Sequence, residues 1–372
     1  MSAGEASGDL HASGLVRAIK AREPDASVTC LGGAHLKEAG ASILVDNRDV
    51  SVVGISEVLH HGRKIYGAWR KIKGYLQGNR PNLLILIDFP DFNFLLARLA
   101  KGLGIPVLYF ISPQVWAWRS GRVRTLKRFV DEMAVILPFE QEFFQRFGMT
   151  VHFVGHPLLD RIEEAPSRDE AASRYGLGKN GFLVGLLPGS RQSEIRSLLP
   201  ELLAAAALIR DGVPDVSFVL PVAPTVAVAE VESRVAQSGV PVQVVAGDTY
   251  GVLRACDLVL TASGTVTLES AMLGTPMVIV YKVSSLSYHL GRHLIKVKYA
   301  GLPNLIAGQR IVPECLQHEA RAERIAAEAM DLLLHPQKLE KQKRGLAQIR
   351  QRLGAPGVAH RVAELALAMC SK

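Results

Sequence analysis

Three side chains in this sequence stand where they could do chemistry: the carboxylate of Asp88, the guanidinium of Arg191 and the carboxylate of Glu269. Each follows an apolar run of strand length. Asp88 directly follows Leu83 to Ile87 and opens the turn Asp88-Phe89-Pro90-Asp91. A carboxylate at a strand end can take a proton from an attacking hydroxyl. Asp91 competes for that role, although it also suits a turn former or helix cap with Asn93 beside it. Arg191 ends Pro188-Gly189-Ser190-Arg191 after the run Phe182 to Leu187. Its planar fork suits phosphate oxygens and the charge that grows on a departing phosphate group. The plainer role is a surface ion pair with Glu194. Glu269 lies one turn into the pattern Ser263-Gly264-Thr265-Val266-Thr267-Leu268-Glu269, after Leu258 to Ala262. A small turn opening a helix lets backbone N–H groups approach a diphosphate, with the helix dipole helping. Glu269 would then accept hydrogen bonds from a ribose diol, or else simply complement the dipole of a capped helix.

A fourth turn, Ser112-Pro113-Gln114-Val115-Trp116-Ala117-Trp118-Arg119, follows Val107 to Ile111, so two such turns lie in each half of the chain. Apolar runs alternating with helical stretches predict two parallel α/β lobes, each with its loops beyond the carboxyl ends of its strands, facing one central cleft. Strand candidates in the first lobe are Ser27 to Leu31, Asn82 to Ile87, Val107 to Ile111, Met133 to Leu137 and Val151 to Val154. The pattern restarts with Phe182 to Leu187, Val216 to Pro221, Val242 to Val245, Leu258 to Ala262 and Met277 to Tyr281. Expected domains are 1–157, 158–313 and a segment 314–372 that reads as helical throughout. Gly4-Glu5-Ala6-Ser7-Gly8-Asp9 resembles a strand-to-helix turn with only three residues before it. Either translation begins upstream and a central strand is missing, or these residues open a helix with no strand.

The 372 residues suffice for two cores, and 48% hydrophobic content supports burial. A formal charge of +8 favours anionic partners without choosing among nucleic acid, phosphorylated small molecules and lipid. No run reaches the roughly eighteen apolar residues of a membrane span, and Met1-Ser2-Ala3-Gly4-Glu5 is not a signal sequence, so a cytoplasmic protein is expected. Cys30, Cys256, Cys315 and Cys370 are scattered, which suggests neither a zinc site nor a disulfide frame. The absence of Asp-x-Asp, of a Walker loop and of Gly-x-Gly-x-x-Gly disfavours metal-dependent phosphate handling and NAD binding, and no metal or cofactor is expected.

Taken in order, Gly4-Glu5-Ala6-Ser7-Gly8-Asp9, Asp88-Phe89-Pro90-Asp91-Phe92-Asn93, the tryptophan turn, Val154-Gly155-His156-Pro157, Leu187-Pro188-Gly189-Ser190-Arg191, Ala262-Ser263-Gly264-Thr265 with Leu268-Glu269, and Leu302-Pro303-Asn304-Leu305 resemble the lipid A disaccharide synthase family nearly end to end. The resemblance implies a GT-B glycosyltransferase of two Rossmann-like lobes, inverting and metal-independent, peripheral on the inner face of the cytoplasmic membrane. It implies condensation of UDP-2,3-diacylglucosamine with 2,3-diacylglucosamine 1-phosphate to a β-1,6-linked disaccharide 1-phosphate, releasing UDP. It further implies a homodimer whose helical C-termini exchange. In those terms Asp88 is the base and Arg191 assists departure of UDP. Gly189, Ser190, Arg191, Ser263, Gly264, Thr265, Glu269 and Asn304 face the donor. Glu5, Ser7, Asp9, His11, Trp116 and Arg119 lie on the acceptor side. Arg119, Arg122 and Lys127 are unranked candidates for the acceptor's 1-phosphate.

Within His60 to Asn79, Ile65, Trp69, Ile72 and Leu76 form one helical stripe flanked by Arg63, Lys64, Arg70, Lys71 and Lys73. The pattern suits either a core-facing helix with a solvated basic back or a helix lying on an anionic bilayer. A diacylated substrate favours the second, so the stripe is expected to face the membrane. The basic aromatic run Trp116 to Arg128 lacks a nucleic-acid-binding motif, and no nucleic-acid partner is expected. The rival readings are another GT-B transferase or epimerase acting on UDP-N-acetylglucosamine, and a non-enzymatic lipid or nucleotide binder.

Overall fold

The computed structural model describes residues 1–50, 55–118, 120–163, 165–175, 181–282 and 298–371. The chain divides into two compact units, Met1–Pro157 with Leu353–Lys372, and Leu158–Arg352.

The strands of the first unit are β1 (Ser2–Ala3), β2 (Thr29–Gly32), β3 (Ser42–Asp46), β4 (Leu84–Ile87), β5 (Val107–Phe110), β6 (Glu132–Val135) and β7 (Val151–Phe153). They form one parallel sheet in the order β3-β2-β1-β4-β5-β6-β7. Strands covered on both faces read as unbroken apolar runs, and β4 is such a run, Leu-Ile-Leu-Ile, buried throughout. Its side chains alternate between faces. Leu84 and Leu86 join one core cluster, whereas Ile85 and Ile87 join the other. The second unit contains β8 (Phe182–Leu187), β9 (Val216–Val222), β10 (Val242–Ala246), β11 (Leu258–Ala262), β12 (Met277–Tyr281) and β13 (Glu314–Leu316), in the order β10-β9-β8-β11-β12-β13, again parallel.

Three expectations are corrected. The first strand is present: Ser2 and Ala3 pair in register with Leu86 and Ile87, and Ser2 also with Leu31. Two residues carry no apolar run, so the strand is invisible as a pattern. The segment from Glu314 is not helical throughout, because Glu314–Leu316 adds an edge strand beside β12 before the helices Ala322–Leu333, Pro336–Arg352 and Val358–Cys370. The stripe of the helix Ile55–Asn79 is not a membrane face. Ile72 and Leu76 are 6% and 3% exposed, and with half-buried Ile65 and Trp69 they pack into the first unit's core. Trp69 meets Phe92 edge-on at 6.3 Å between ring centroids. One apolar face of the sheet needed a cover, and this stripe supplies it. Arg63, Lys64, Arg70, Lys71 and Lys73 are exposed, with Tyr66 among them at 64%.

The C-terminal helices are shared out. Pro336–Arg352 is pinned to β12 by buried Gln342, which accepts from the Met277 N–H at 2.8 Å and donates to its carbonyl at 3.2 Å. Val358–Cys370 returns to the first unit, where Val358 and Val362 pack with Ala12, Leu15 and Val16 of the helix Ala6–Arg22.

Candidate functional site

In an open parallel sheet the crevice lies where successive crossovers leave in opposite directions. The strand orders put that point between β1 and β4 in the first unit and between β8 and β11 in the second. The turns carrying Glu5, Asp88, Arg191 and Ser263-Gly264-Thr265 follow these four strands, and the tryptophan turn follows β5 next to β4.

In the first unit, the register partners Ala3 and Ile87 are followed by Gly4-Glu5 and Asp88-Phe89. Glu5 takes the N-cap position of the helix Ala6–Arg22 without a side-chain capping bond, and it is exposed, as is Ser7. Asp88 is half buried. Burial, and then the negative charge of Glu5, push its carboxyl up to about 6, against a small opposing hydrogen bond from the Phe89 N–H. A carboxylate poised there can be ionised at neutral pH and still be basic enough to take a proton. Asp91 sits in the first turn of the helix Pro90–Gly102 and pairs with Arg122 at 2.6 Å. It is therefore engaged with a cation at the surface, which supports Asp88 over Asp91 as base.

The tryptophan turn is fastened from inside by Glu140. This fully buried carboxylate accepts from Ser112 Oγ at 2.6 Å and Trp116 Nε1 at 2.9 Å with one oxygen, and from the Leu137 N–H at 3.0 Å with the other. Trp116 packs edge-on against Phe139. His11 is half buried, and buried His156 lies near enough that its charge adds to burial in lowering the His156 imidazole to about 3, so His156 is neutral at physiological pH. Arg119 lies outside the described residues, and the Lys127 ammonium lies against Gly148. Asp9 needs correction. It is 2% exposed, and its oxygens accept the backbone N–H groups of Gly33 at 2.6 Å and His35 at 3.0 Å, so it shapes the turn after β2 and is not offered to an acceptor.

In the second unit, Gly189, Ser190, Arg191, Ser263, Gly264, Thr265 and Glu269 line one cavity of about 330 Å³. The helix Thr265–Leu273 opens onto it with its N-terminal end, the end that favours anions. Glu269 accepts from Tyr250 Oη at 3.1 Å, and burial raises its carboxyl while the Tyr250 hydrogen bond and Arg161 oppose the rise. Arg161 also lies over the Tyr250 ring, 5.3 Å from its centroid. Gly189 adopts φ 111°, and a Cβ there would come within 2.3 Å of a Glu194 oxygen. That oxygen accepts the N–H groups of Ser190 and Arg191 at 3.0 and 3.1 Å, while the other pairs with Arg191 Nη1 at 3.3 Å. Arg191 thus makes the ion pair that was its plainer reading. Its side chain is nonetheless 74% exposed on the cavity wall.

Asn304 is not in this cavity, and its donor-side expectation is corrected. It is fully buried, donating to the Val312 carbonyl and Glu314 and accepting from the Ile311 and Val312 N–H groups. With every polar valence met by the segment entering β13, it has none for a nucleotide. Sequence reasoning also missed Glu140, Tyr250 and Arg161. The signals for the first were faint: a glutamate three residues after Leu137 and just past Pro138 fits a capping position.

The family model described as lipid-A-disaccharide synthetase matches residues 1–367. A lipid-A-disaccharide synthase of Geobacter metallireducens is 48% identical over 370 residues, covering 100% of this chain and 96% of that protein. Among solved structures, the UDP complex of Staphylococcus aureus MnaA has a TM-score of 0.66 at 11% identity, covering 100% of this chain and 96% of that one. The glycosyltransferase of kitacinnamycin has a TM-score of 0.65 at 16% identity, covering 99% and 98%. At such identities the last two show the fold alone, two Rossmann-like parallel-sheet lobes of GT-B type.

Proposed function

Because the chain belongs to the lipid-A-disaccharide synthase family, we propose that it is an inverting glycosyltransferase joining UDP-2,3-diacylglucosamine to 2,3-diacylglucosamine 1-phosphate. The observation that carries the reading is the family match along residues 1–367. The placing of an ionisable carboxylate at one switch point and an anion-favouring cavity at the other supports it. In this mechanism Asp88 takes the proton of the acceptor's 6-hydroxyl as that oxygen attacks the anomeric carbon. The bond from that carbon to the UDP oxygen breaks with inversion, leaving a β-1,6 linkage and UDP carrying the bonding pair. Arg191 exchanges Glu194 for the diphosphate and balances the charge that gathers there. The first turn of the helix Thr265–Leu273 holds the same group, and Glu269 accepts the ribose hydroxyls.

Glu269→Ala should weaken UDP binding by about 1.5 to 3 kcal/mol, the usual loss for hydrogen bonds to a charged group. Since burial raises the Glu269 carboxyl, parental affinity should also fall as pH drops through that raised value and the acceptor oxygens are protonated. Isothermal titration checks both points, and unchanged affinity in Glu269→Ala removes the ribose role.

The acylated substrates call for contact with a bilayer, and the exposed basic back of the helix Ile55–Asn79 suits it better than the apolar stripe beneath. Each Lys or Arg near an anionic surface is worth about 1 kcal/mol. Arg70→Glu with Lys71→Glu should therefore cut sedimentation with phosphatidylglycerol vesicles by about thirtyfold or more in affinity. Phosphatidylcholine vesicles should bind parent and variant equally. Equal binding to the anionic vesicles would instead move the contact elsewhere.

A further inference from the structure

Asp88 and Phe89 are consecutive non-glycine residues in the left-handed region, at φ 45° and 47°. Such a pair persists only where its surroundings overdetermine it, and strained turns of this kind cluster at functional sites. Here the surroundings converge on one atom. The Tyr109 hydroxyl donates to the Asp88 carbonyl at 2.6 Å, and the Asn93 amide donates to the same oxygen at 2.7 Å. Asn93 also donates to the Ile87 carbonyl at 3.3 Å and accepts from Ser2 Oγ at 2.6 Å, while its own backbone N–H reaches the Phe89 carbonyl at 3.1 Å. Both Asn93 and Tyr109 are fully buried, so neither donor has water as an alternative. From the other side, the Phe89 ring lies over Gly4, where a Cβ would fall 2.2 Å from Cδ1.

We propose that Tyr109 and Asn93 are positioning residues for the transfer, gripping the Asp88 carbonyl so that the left-handed turn presents the Asp88 carboxylate to the acceptor hydroxyl. The inference rests on the reading of Asp88 as base. Loss of either donor lets the backbone relax toward an ordinary conformation, which swings Cβ and the carboxylate away, and small displacements of a reacting group are costly in rate. A relaxed turn also lets water reach the carboxylate, whose surroundings otherwise hold it up through burial, with Glu5 from the turn after β1 adding to the effect and Tyr109 from β5 facing it.

The test is steady-state kinetics on the full chain with Tyr109→Phe, which keeps the ring and removes the donor. We expect kcat to fall about ten- to a hundredfold, with KM for both substrates within twofold. The acid limb of the pH profile should move below its parental midpoint. In an Asp88→Asn background, Tyr109→Phe should slow turnover no further. Gly4→Ala, which drives a methyl into the Phe89 ring, should reproduce the loss, and Phe89→Leu in the same chain should restore much of it. A merely structural Tyr109 would lower thermal stability and slow both backgrounds alike, with the acid limb unmoved, and that overturns the proposal. So does a Tyr109→Phe enzyme within twofold of the parental kcat while Asp88→Asn is slow. If Asp88→Asn itself turns over normally, the reading of Asp88 as base has failed and the clamp falls with it.

Discussion

Asp88→Asn should lower kcat by about 10² to 10⁴, the contribution of a positioned general base, while leaving the fold and UDP affinity intact. The amide has the shape of the carboxylate and cannot take the proton. Donor binding should be spared because the cavity that favours an anion belongs to the other unit. The pH profile adds an independent mark. Burial and the charge of Glu5 hold Asp88 up to about 6, so kcat/KM should rise with pH through that value. At pH 5 only about a tenth of the base is ionised. Glu5→Gln removes the second cause and should move the limb to lower pH. Stopped or continuous assays of UDP release from pH 4.5 to 8 check all three enzymes. Turnover of Asp88→Asn within threefold of the parent sends the search to Asp91 and His11.

Replacing Ile72 and Leu76 together with Ala should remove most of the stability of the first unit. Each large-to-small change in a packed core costs about 2 to 5 kcal/mol, and a whole domain is stable by only about 5 to 15. Both side chains belong to the same core cluster as Leu84, Leu86 and Leu96. Circular dichroism and limited proteolysis should show early melting and cleavage within Met1–Pro157, with vesicle binding lost along with the fold. A melting temperature within 2 °C or so of the parent, combined with lost vesicle binding, would return the stripe to the membrane surface.

The stripe shows where pattern stops informing. A helical period says that Ile65, Trp69, Ile72 and Leu76 share a face, and nothing about what that face meets, since a bilayer and a sheet look alike to a row of apolar side chains. The parallel sheets were legible for the converse reason. Runs such as Leu84–Ile87 and Leu258–Ala262 are buried on both faces, and few other arrangements tolerate them. β1, β3 and β13 escaped because two residues, a half-exposed edge and three residues give little pattern to read. At the site, the turns after the strands were visible in sequence, and most of the donor-side residues do share one cavity. What holds those turns was not. Asn93 meets Ser2, Tyr109 meets the Asp88 carbonyl, and Glu140 meets Ser112 and Trp116 only when separate strand ends are brought together. Asp9 and Asn304 carry chemistry-bearing side chains that the fold spends on its own backbone.

The central claim is tested most directly by incubating the purified chain with UDP-2,3-diacylglucosamine and 2,3-diacylglucosamine 1-phosphate in mixed micelles, following products by mass spectrometry and the new anomeric proton by NMR. The account predicts a tetraacyl disaccharide 1-phosphate with a β-1,6 linkage, formed in equal amount with UDP and only when both lipids are present. UDP release without the acceptor, an epimerised nucleotide sugar, or an α-linked product would contradict it.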